Sequence, residues 1–79
     1  MYSRKIIVFT QPDSLPCEAV KMFLKSRKAK FEERCVTYDD DARNELAQKY
    51  NSRSTPTVVI DNEVVVGFDP ERLDQLLEP

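Results

Sequence analysis

The chain has 79 residues, of which 41% are hydrophobic and 33% charged, and its formal net charge at pH 7 is −2. This length suits one small core, so we expect a single domain over residues 1–79, and the composition excludes a disordered tail. Because the net charge is negative, no positive electrostatic field favours the binding of nucleic acid or of an anionic membrane.

The first two predicted elements are a strand and a helix. Residues 5–10, KIIVFT, form a short β-branched apolar run, which is typical of a central strand buried on both faces. A helical pattern follows from residue 16 to about residue 26, with Ser14 or Asp13 as its cap. One apolar stripe runs along this helix: Cys17, Val20, Phe23 and Leu24. We expect Lys25, Arg27, Lys28 and Lys30 to form its solvated end.

A second strand and a second helix come next. Residues 31–37, FEERCVT, are less apolar, so we expect this strand to lie nearer an edge of the sheet. Residues 39–41 are three aspartates, which supply a cap and first-turn acids for a helix that continues to about Tyr50. Its buried stripe consists of Ala42, Leu46, Ala47 and Tyr50.

The last elements are a hairpin and a helix. Residues 57–60 and 64–66 are strands joined by a tight turn at Asp61 and Asn62, and residues 69–70, Asp-Pro, begin a helix. The order is therefore β-α-β-α-β-β-α. The first crossover is parallel and right-handed, and the hairpin adds antiparallel strands. We predict an α/β fold with a four-stranded mixed sheet and three helices.

The cysteines and the apolar runs exclude several classes of protein. The run from Ile6 to Phe9 is too short for a signal peptide or a membrane span, so we expect a cytoplasmic protein. Two cysteines do not make a secreted disulfide scaffold, and with no histidine in the chain we expect no metal site. A Cys17–Cys35 bridge would need the two Cα atoms within ~7 Å. We expect a mid-strand residue and a residue at the start of a helix to lie farther apart than this, so both thiols should be free.

The order of the elements, with a cysteine at the first helix and Thr-Pro before the third strand, resembles the thioredoxin fold. Within that fold the chain is similar to a small glutaredoxin. Four stretches carry the resemblance: VFTQPDSLPC (8–17), DDDARNELAQKY (39–50), RSTPTVVID (53–61) and VVGFDPERLDQLL (65–77). The resemblance implies thiol–disulfide exchange at the start of the first helix.

Ser14 is the main departure from the family's pattern. It falls on the nucleophilic cysteine of the Cys-x-x-Cys site, and Cys17 falls on the resolving cysteine. A serine hydroxyl stays protonated at neutral pH and cannot form a disulfide, and the chain has no histidine to act as its base. Both residues are candidate catalytic residues by position, but we expect low activity from this form. The physical role of Ser14 is a helix cap.

Three interpretations of Cys17 remain open from the sequence. It is an inert core residue of the apolar stripe, a lone reactive thiol, or the surviving half of a redox pair. The second needs exposure and positive neighbours, whereas Lys21, Glu18 and Asp13 make the local charge mixed. The third needs a thiol from elsewhere, or a native cysteine at position 14.

The resemblance also implies a substrate groove. It predicts a cis bond before Pro56, with the backbone of Thr55 pairing with the substrate as an added strand. Arg53, three residues before Pro56, suits both the glutaredoxins that use glutathione and those that donate electrons to ribonucleotide reductase. Gly67, Phe68 and Asp69 would line the groove, although Asp69 is first a helix cap and Phe68 is either core or an exposed docking residue.

The resemblance gives only weak support for glutathione, and we expect no cofactor. Glutaredoxins that use glutathione commonly carry a lysine where this chain has Gln11, and Gly-Gly where it has Val66 and Gly67. The sequence after Val66 looks more like the glutaredoxin-shaped electron donors of ribonucleotide reductase, which take electrons from thioredoxin reductase.

Two functions compete at this point. The first is a monomeric thiol–disulfide oxidoreductase for electron transfer and redox homeostasis, acting on a disulfide-containing protein or a thiol. The second is a redox-inactive binding module that keeps the groove. Glutathione chemistry by a single thiol is weakest, because the family's single-thiol members keep the first cysteine.

Overall fold

The computed structural model describes residues 4–78. Its elements are β1 (Ile6–Thr10), α1 (Leu15–Ser26), β2 (Glu32–Cys35), α2 (Asp40–Gln48), β3 (Thr57–Ile60), β4 (Glu63–Val66) and α3 (Pro70–Leu77). The predicted order and the predicted mixed sheet of four strands are confirmed. Within residues 4–78, no helix is long and apolar enough to cross a membrane.

The sheet has the strand order β2-β1-β3-β4, with β1 at its centre. β1 runs parallel to β2, where Thr10 pairs with Cys35, and antiparallel to β3, which continues the hairpin to β4. All five residues of β1 are buried, whereas Glu32 and Glu33 of β2 are exposed. The apolar character of β1 and the polar character of β2 therefore predicted the places of these two strands in the sheet.

Helices cover both faces of the sheet, and each face has its own apolar cluster. Because successive side chains of a strand alternate between faces, Ile6 and Val8 join one cluster while Ile7 and Phe9 join the other. The first cluster takes residues from α1 and α3: Val20, Leu24, Leu73 and Leu77. The second takes Ala42 and Leu46 from α2. α1 and α3 thus share one side of the sheet.

A side-chain oxygen caps each helix, as the sequence predicts. The acceptors are Ser14, Asp39 and Asp69, and the donors are the N–H groups of Cys17, Ala42 and Arg72, at 3.3, 3.1 and 3.1 Å. Each cap satisfies a backbone donor that has no partner within its helix. Pro16 and Pro70 lie in the first turns of α1 and α3, where a missing N–H costs nothing.

Three predicted features differ in detail. α2 ends at Gln48, so Tyr50 lies beyond it, although the Tyr50 ring still packs 5.7 Å from the Phe9 ring. β2 spans four residues instead of the seven predicted. Arg27 was predicted to lie at a solvated helix end, but its Nε forms an ion pair with Asp74 Oδ1 of α3 at 3.0 Å.

Candidate functional site

Ser14 stands at the junction where the chain leaves β1 and enters α1. Asp13 turns the chain with a positive φ of 58°, and Ser14 is extended, at φ −117° and ψ 116°. Its Oγ accepts the Cys17 N–H, and its carbonyl accepts the Glu18 N–H at 3.1 Å. The side chain is half-buried and lies at the positive end of the α1 dipole, a position that favours an anion.

The Cys17 side chain points into the protein. It is 0% exposed and shares the buried side of α1 with Val20 and Leu24. Its thiol is free, as is that of Cys35, in agreement with the prediction that the two form no bridge. This burial favours the interpretation of Cys17 as a core residue over that of a lone reactive thiol, which requires exposure.

The charges beside the first turns of α1 form one network. Lys21 Nζ lies 2.8 Å from Glu18 Oε2 and 3.2 Å from Glu33 Oε2, and Glu33 Oε2 also accepts the Thr10 hydroxyl at 2.9 Å. The hydrogen bond with Glu18 raises the pKa of Lys21. Burial raises the pKa of Glu33, but its bonds with Thr10 and Lys21 outweigh this and hold that pKa below its usual value.

The loop before β3 carries the predicted cis-proline. The Thr55–Pro56 peptide bond is cis, and Pro56 is buried. The buried Thr57 hydroxyl lies 2.8 Å from the Ser52 hydroxyl and donates to the Ser54 carbonyl at 2.6 Å. These bonds fix the loop against the start of β3.

The turn after β4 is bonded to this loop. The Gly67 N–H donates to the Pro56 carbonyl at 2.7 Å, so two of the predicted groove residues are in direct contact. Gly67 has a φ of 82°, and a Cβ there would meet nothing within 4 Å. The backbone conformation, not crowding, therefore favours glycine at this position.

The other predicted groove residues differ in their exposure and partners. Phe68 was predicted to be either a core residue or an exposed docking residue. Its side chain is 41% exposed, and its ring meets the Phe23 ring edge-on with the centroids 5.9 Å apart, so it combines features of both. Asp69 caps α3, as predicted. Arg53 and Thr55 lie on the loop before β3, where Arg53 is exposed and Thr55 is half-buried.

Sequence reasoning missed the contribution of β2 to this region. Glu33 follows Phe31 by two residues, and Phe31 packs on the cluster beneath α1. Because side chains two residues apart in an extended segment face the same side, this spacing could have placed both on the α1 side of the sheet. Nothing local signals that Thr10 would donate to Glu33, because the two residues belong to different strands. Over residues 4–78, no group of His, Cys, Asp or Glu side chains is arranged to hold a metal ion.

Known proteins share both this sequence and this fold. A family model described as Glutaredoxin matches residues 6–65. The gene 56 protein of Mycobacterium phage L5 is 32% identical over 74 residues, which are 92% of this chain and 72% of the relative. The crystal structure of the thioredoxin-like protein BC3987 superposes with a TM-score of 0.90 at 57% identity, covering 92% of this chain and all of that one. NrdH-redoxin from Escherichia coli, a glutaredoxin-like protein with a thioredoxin-like activity profile, gives a TM-score of 0.81 at 27% identity over 95% of this chain and 96% of that one.

Proposed function

Since this chain belongs to the glutaredoxin family, we propose that it is a thiol–disulfide exchange protein whose nucleophile position is occupied by Ser14, so that its own turnover is low. The family and the fold support thiol oxidoreductase chemistry in general terms. The observation that carries the proposal is the cap: Ser14 Oγ accepts the Cys17 N–H at the α1 N-terminus. A thiolate at this position would receive the same hydrogen bond.

The chemistry of thiol–disulfide exchange explains why a hydroxyl in place of a thiol at position 14 lowers the turnover. A thiolate at position 14 would attack one sulfur of a substrate disulfide, which breaks the S–S bond and expels the other sulfur as a thiolate. Cys17, at the resolving position, would then attack the sulfur at position 14 as a thiolate. An S–S bond forms between positions 14 and 17, the mixed disulfide breaks and the second substrate sulfur leaves as a thiolate, so the substrate gains the two electrons that the protein loses. Ser14 cannot begin this sequence, because its protonated hydroxyl neither attacks the sulfur nor forms an S–S bond.

The groove supports a protein or thiol substrate. We propose that the backbone of the half-buried Thr55 pairs with an extended segment of the partner, which is a disulfide-containing protein, in the cytoplasm. The hydrogen bond from the Gly67 N–H to the Pro56 carbonyl supports this proposal, because it brings together two of the residues proposed to line the groove. The proposed substrate-binding residues are Arg53, Thr55, Pro56, Gly67, Phe68 and Asp69. We also propose thioredoxin reductase as the electron source, because the sequence after Val66 resembles the glutaredoxin-shaped electron donors of ribonucleotide reductase. NrdH-redoxin, a structural neighbour, has a thioredoxin-like activity profile.

The decisive experiment restores the sulfur. We expect Ser14→Cys to reduce insulin disulfides, with dithiothreitol as the reductant, at a rate at least an order of magnitude above that of the parent chain, because a thiolate at a helix N-terminus is stabilised. Ser14→Ala is the matched control and should stay at the parent's rate. If Ser14→Cys is folded but no faster than Ser14→Ala, the groove is not a redox site and the proposal fails.

The buried thiol favours a second candidate, a binding module without turnover. Cys17 is enclosed by the core, while the loop around Pro56 keeps an ordered geometry. For this function, a disulfide-bonded peptide should shift the amide resonances of Ser54, Thr55 and Thr57 in the parent chain while its disulfide stays intact. If neither the shifts nor the Ser14→Cys activity is seen, both functions are excluded.

A further inference from the structure

We propose that Glu33 is a positioning residue for the site at the α1 N-terminus: it binds the Lys21 ammonium and so weakens the stabilisation of an anion at position 14. This inference rests on the proposed function, because it concerns the reactivity of a thiol at that position. It adds a residue of β2 to a site otherwise built from α1 and two loops.

The geometry fixes Glu33 and Lys21 against each other. The Lys21 side chain is 18% exposed, and its Nζ lies between Glu18 Oε2 at 2.8 Å and Glu33 Oε2 at 3.2 Å. The same Glu33 oxygen accepts the hydroxyl of Thr10, a residue that is 1% exposed at the end of β1. A buried hydroxyl therefore holds the carboxylate in place, so this ion pair is better ordered than one between two mobile side chains.

Helix geometry places Glu18 and Lys21 within the first two turns of α1. The Glu18 N–H donates to the Ser14 carbonyl, so Glu18 follows Ser14 by one turn, and Lys21 follows Cys17 by the same interval. Residues four apart on a helix are neighbours on its surface. Lys21 and Glu18 alone would cancel each other. Glu33 adds a second carboxylate, which leaves the local charge unfavourable to a thiolate.

Two substitutions should consequently act in opposite directions. Glu33→Gln removes the carboxylate and leaves Lys21 to offset Glu18, so a thiol at position 14 should ionise more readily. Lys21→Gln removes the ammonium and leaves two carboxylates, so the same thiol should ionise less readily. Lys25, whose charge also acts on Glu33, and Asp13, next to Ser14, are unchanged in every variant.

The test uses the Ser14→Cys chain, fully reduced, and measures alkylation by iodoacetamide from pH 5 to pH 9. The thiolate sulfur displaces iodide and forms an S–C bond, and mass spectrometry assigns the adduct to position 14 and not to Cys17 or Cys35. At pH 6 and low salt, Glu33→Gln should raise the rate about twofold and Lys21→Gln should lower it about twofold. Both effects should shrink in 1 M NaCl, because salt screens partly exposed charges.

The neighbouring residue supplies the control. Glu32→Gln removes the same charge from the same strand, and Glu32 makes no ion pair with residues 4–78. It should leave the alkylation rate near that of the Ser14→Cys parent. The proposal is overturned if Glu33→Gln matches Glu32→Gln, or if Glu33→Gln and Lys21→Gln change the rate in the same direction.

The outcome is separable from that of the proposed function. Alkylation reports the ionisation of the thiol and needs no turnover, whereas insulin reduction needs the groove and the resolving thiol as well. Opposite shifts in an inactive Ser14→Cys chain would support the Glu33 network and refute the oxidoreductase function. Reduction of insulin without opposite shifts would do the reverse.

Discussion

The two cysteines of this chain have the same side chain in different surroundings. Cys17 is fully buried on α1, whereas Cys35 ends the edge strand β2 and is half-buried. A thiol reacts with a reagent in solution only when the reagent can reach the sulfur. The protein environment should therefore separate two groups that are chemically alike.

We expect Ellman's reagent to modify Cys35 first in the native parent chain. Cys17 should react much more slowly, since it becomes accessible only when the first turns of α1 open. In denaturant the two rates should converge, because the unfolded chain protects neither sulfur. Cys35→Ser should lose only the fast phase. A fast phase that persists in Cys35→Ser would show that Cys17 is accessible in the folded protein.

At the scale of elements, α3 is attached to α1 by a polar clamp at the far end from Ser14. The Arg27 guanidinium donates to both carboxylate oxygens of Asp74, at 3.0 and 3.1 Å, and lies 4.3 Å from the centre of the Phe23 ring. Phe23 in turn meets Phe68, which lies between β4 and α3. The hydrogen bond from Arg27 holds the pKa of Asp74 below its usual value.

The lowered pKa of Asp74 gives a pH-dependent prediction. A carboxyl whose pKa is lower in the folded than in the unfolded protein stabilises the fold above its unfolded pKa, and this contribution disappears as the pH falls through the folded pKa. Asp74→Asn should therefore lower the urea midpoint at pH 7, and its difference from the parent should shrink toward pH 3. Glu78→Gln, which loses the same charge without an ion pair to the described part of the chain, should show no such convergence. A constant difference between pH 7 and pH 3 would contradict the Arg27–Asp74 account.

Patterns among residues close in sequence predicted the helices and strands. Most contacts between those elements could not be predicted from the sequence. The apolar stripe of α1 and the Ser14 cap depend on residues close in sequence, and both were predicted. The bond between Arg27 and Asp74 depends on how α3 packs against α1, which no local pattern specifies. β2 was predicted too long because Phe31 and Val36 are apolar, although they pack on the two clusters from outside the strand.

In the candidate site, too, local features were predicted from the sequence and contacts between distant segments were not. The Ser-Leu-Pro-Cys stretch located it, because a capped helix after a buried strand is a local pattern. The cis bond before Pro56 came from the family resemblance alone, since X–Pro bonds in general are cis in only about 5–6% of cases. The bond from Gly67 to Pro56 joins two strand ends across the hairpin, and Glu33 enters from a different strand. Both depend on the assembled sheet.

At the scale of the whole molecule, the sheet carries one apolar cluster on each face. The larger cluster includes residues of the last helix, α3. Leu73 and Leu77 of α3 are buried against Val8 of the central strand and against residues of α1. β1 contributes alternate residues to both clusters. Loss of α3 packing should therefore weaken the strand on which both sides of the sheet are built.

The final prediction tests how much of the stability rests on that packing. Leu73 is 0% exposed, so Leu73→Ala should leave a cavity and lower the free energy of unfolding by about 2–5 kcal/mol. That is a large part of the roughly 4–12 kcal/mol expected for a chain of this length. Leu15→Ala is the matched control: Leu15 is 85% exposed, and its loss should change the free energy by about 0.5 kcal/mol or less. Urea unfolding of both variants measures the difference. Equal losses in the two variants would mean that the packing of Leu73 does not hold α3 against the core, and that its burial against β1 and α1 contributes little to the stability of the fold.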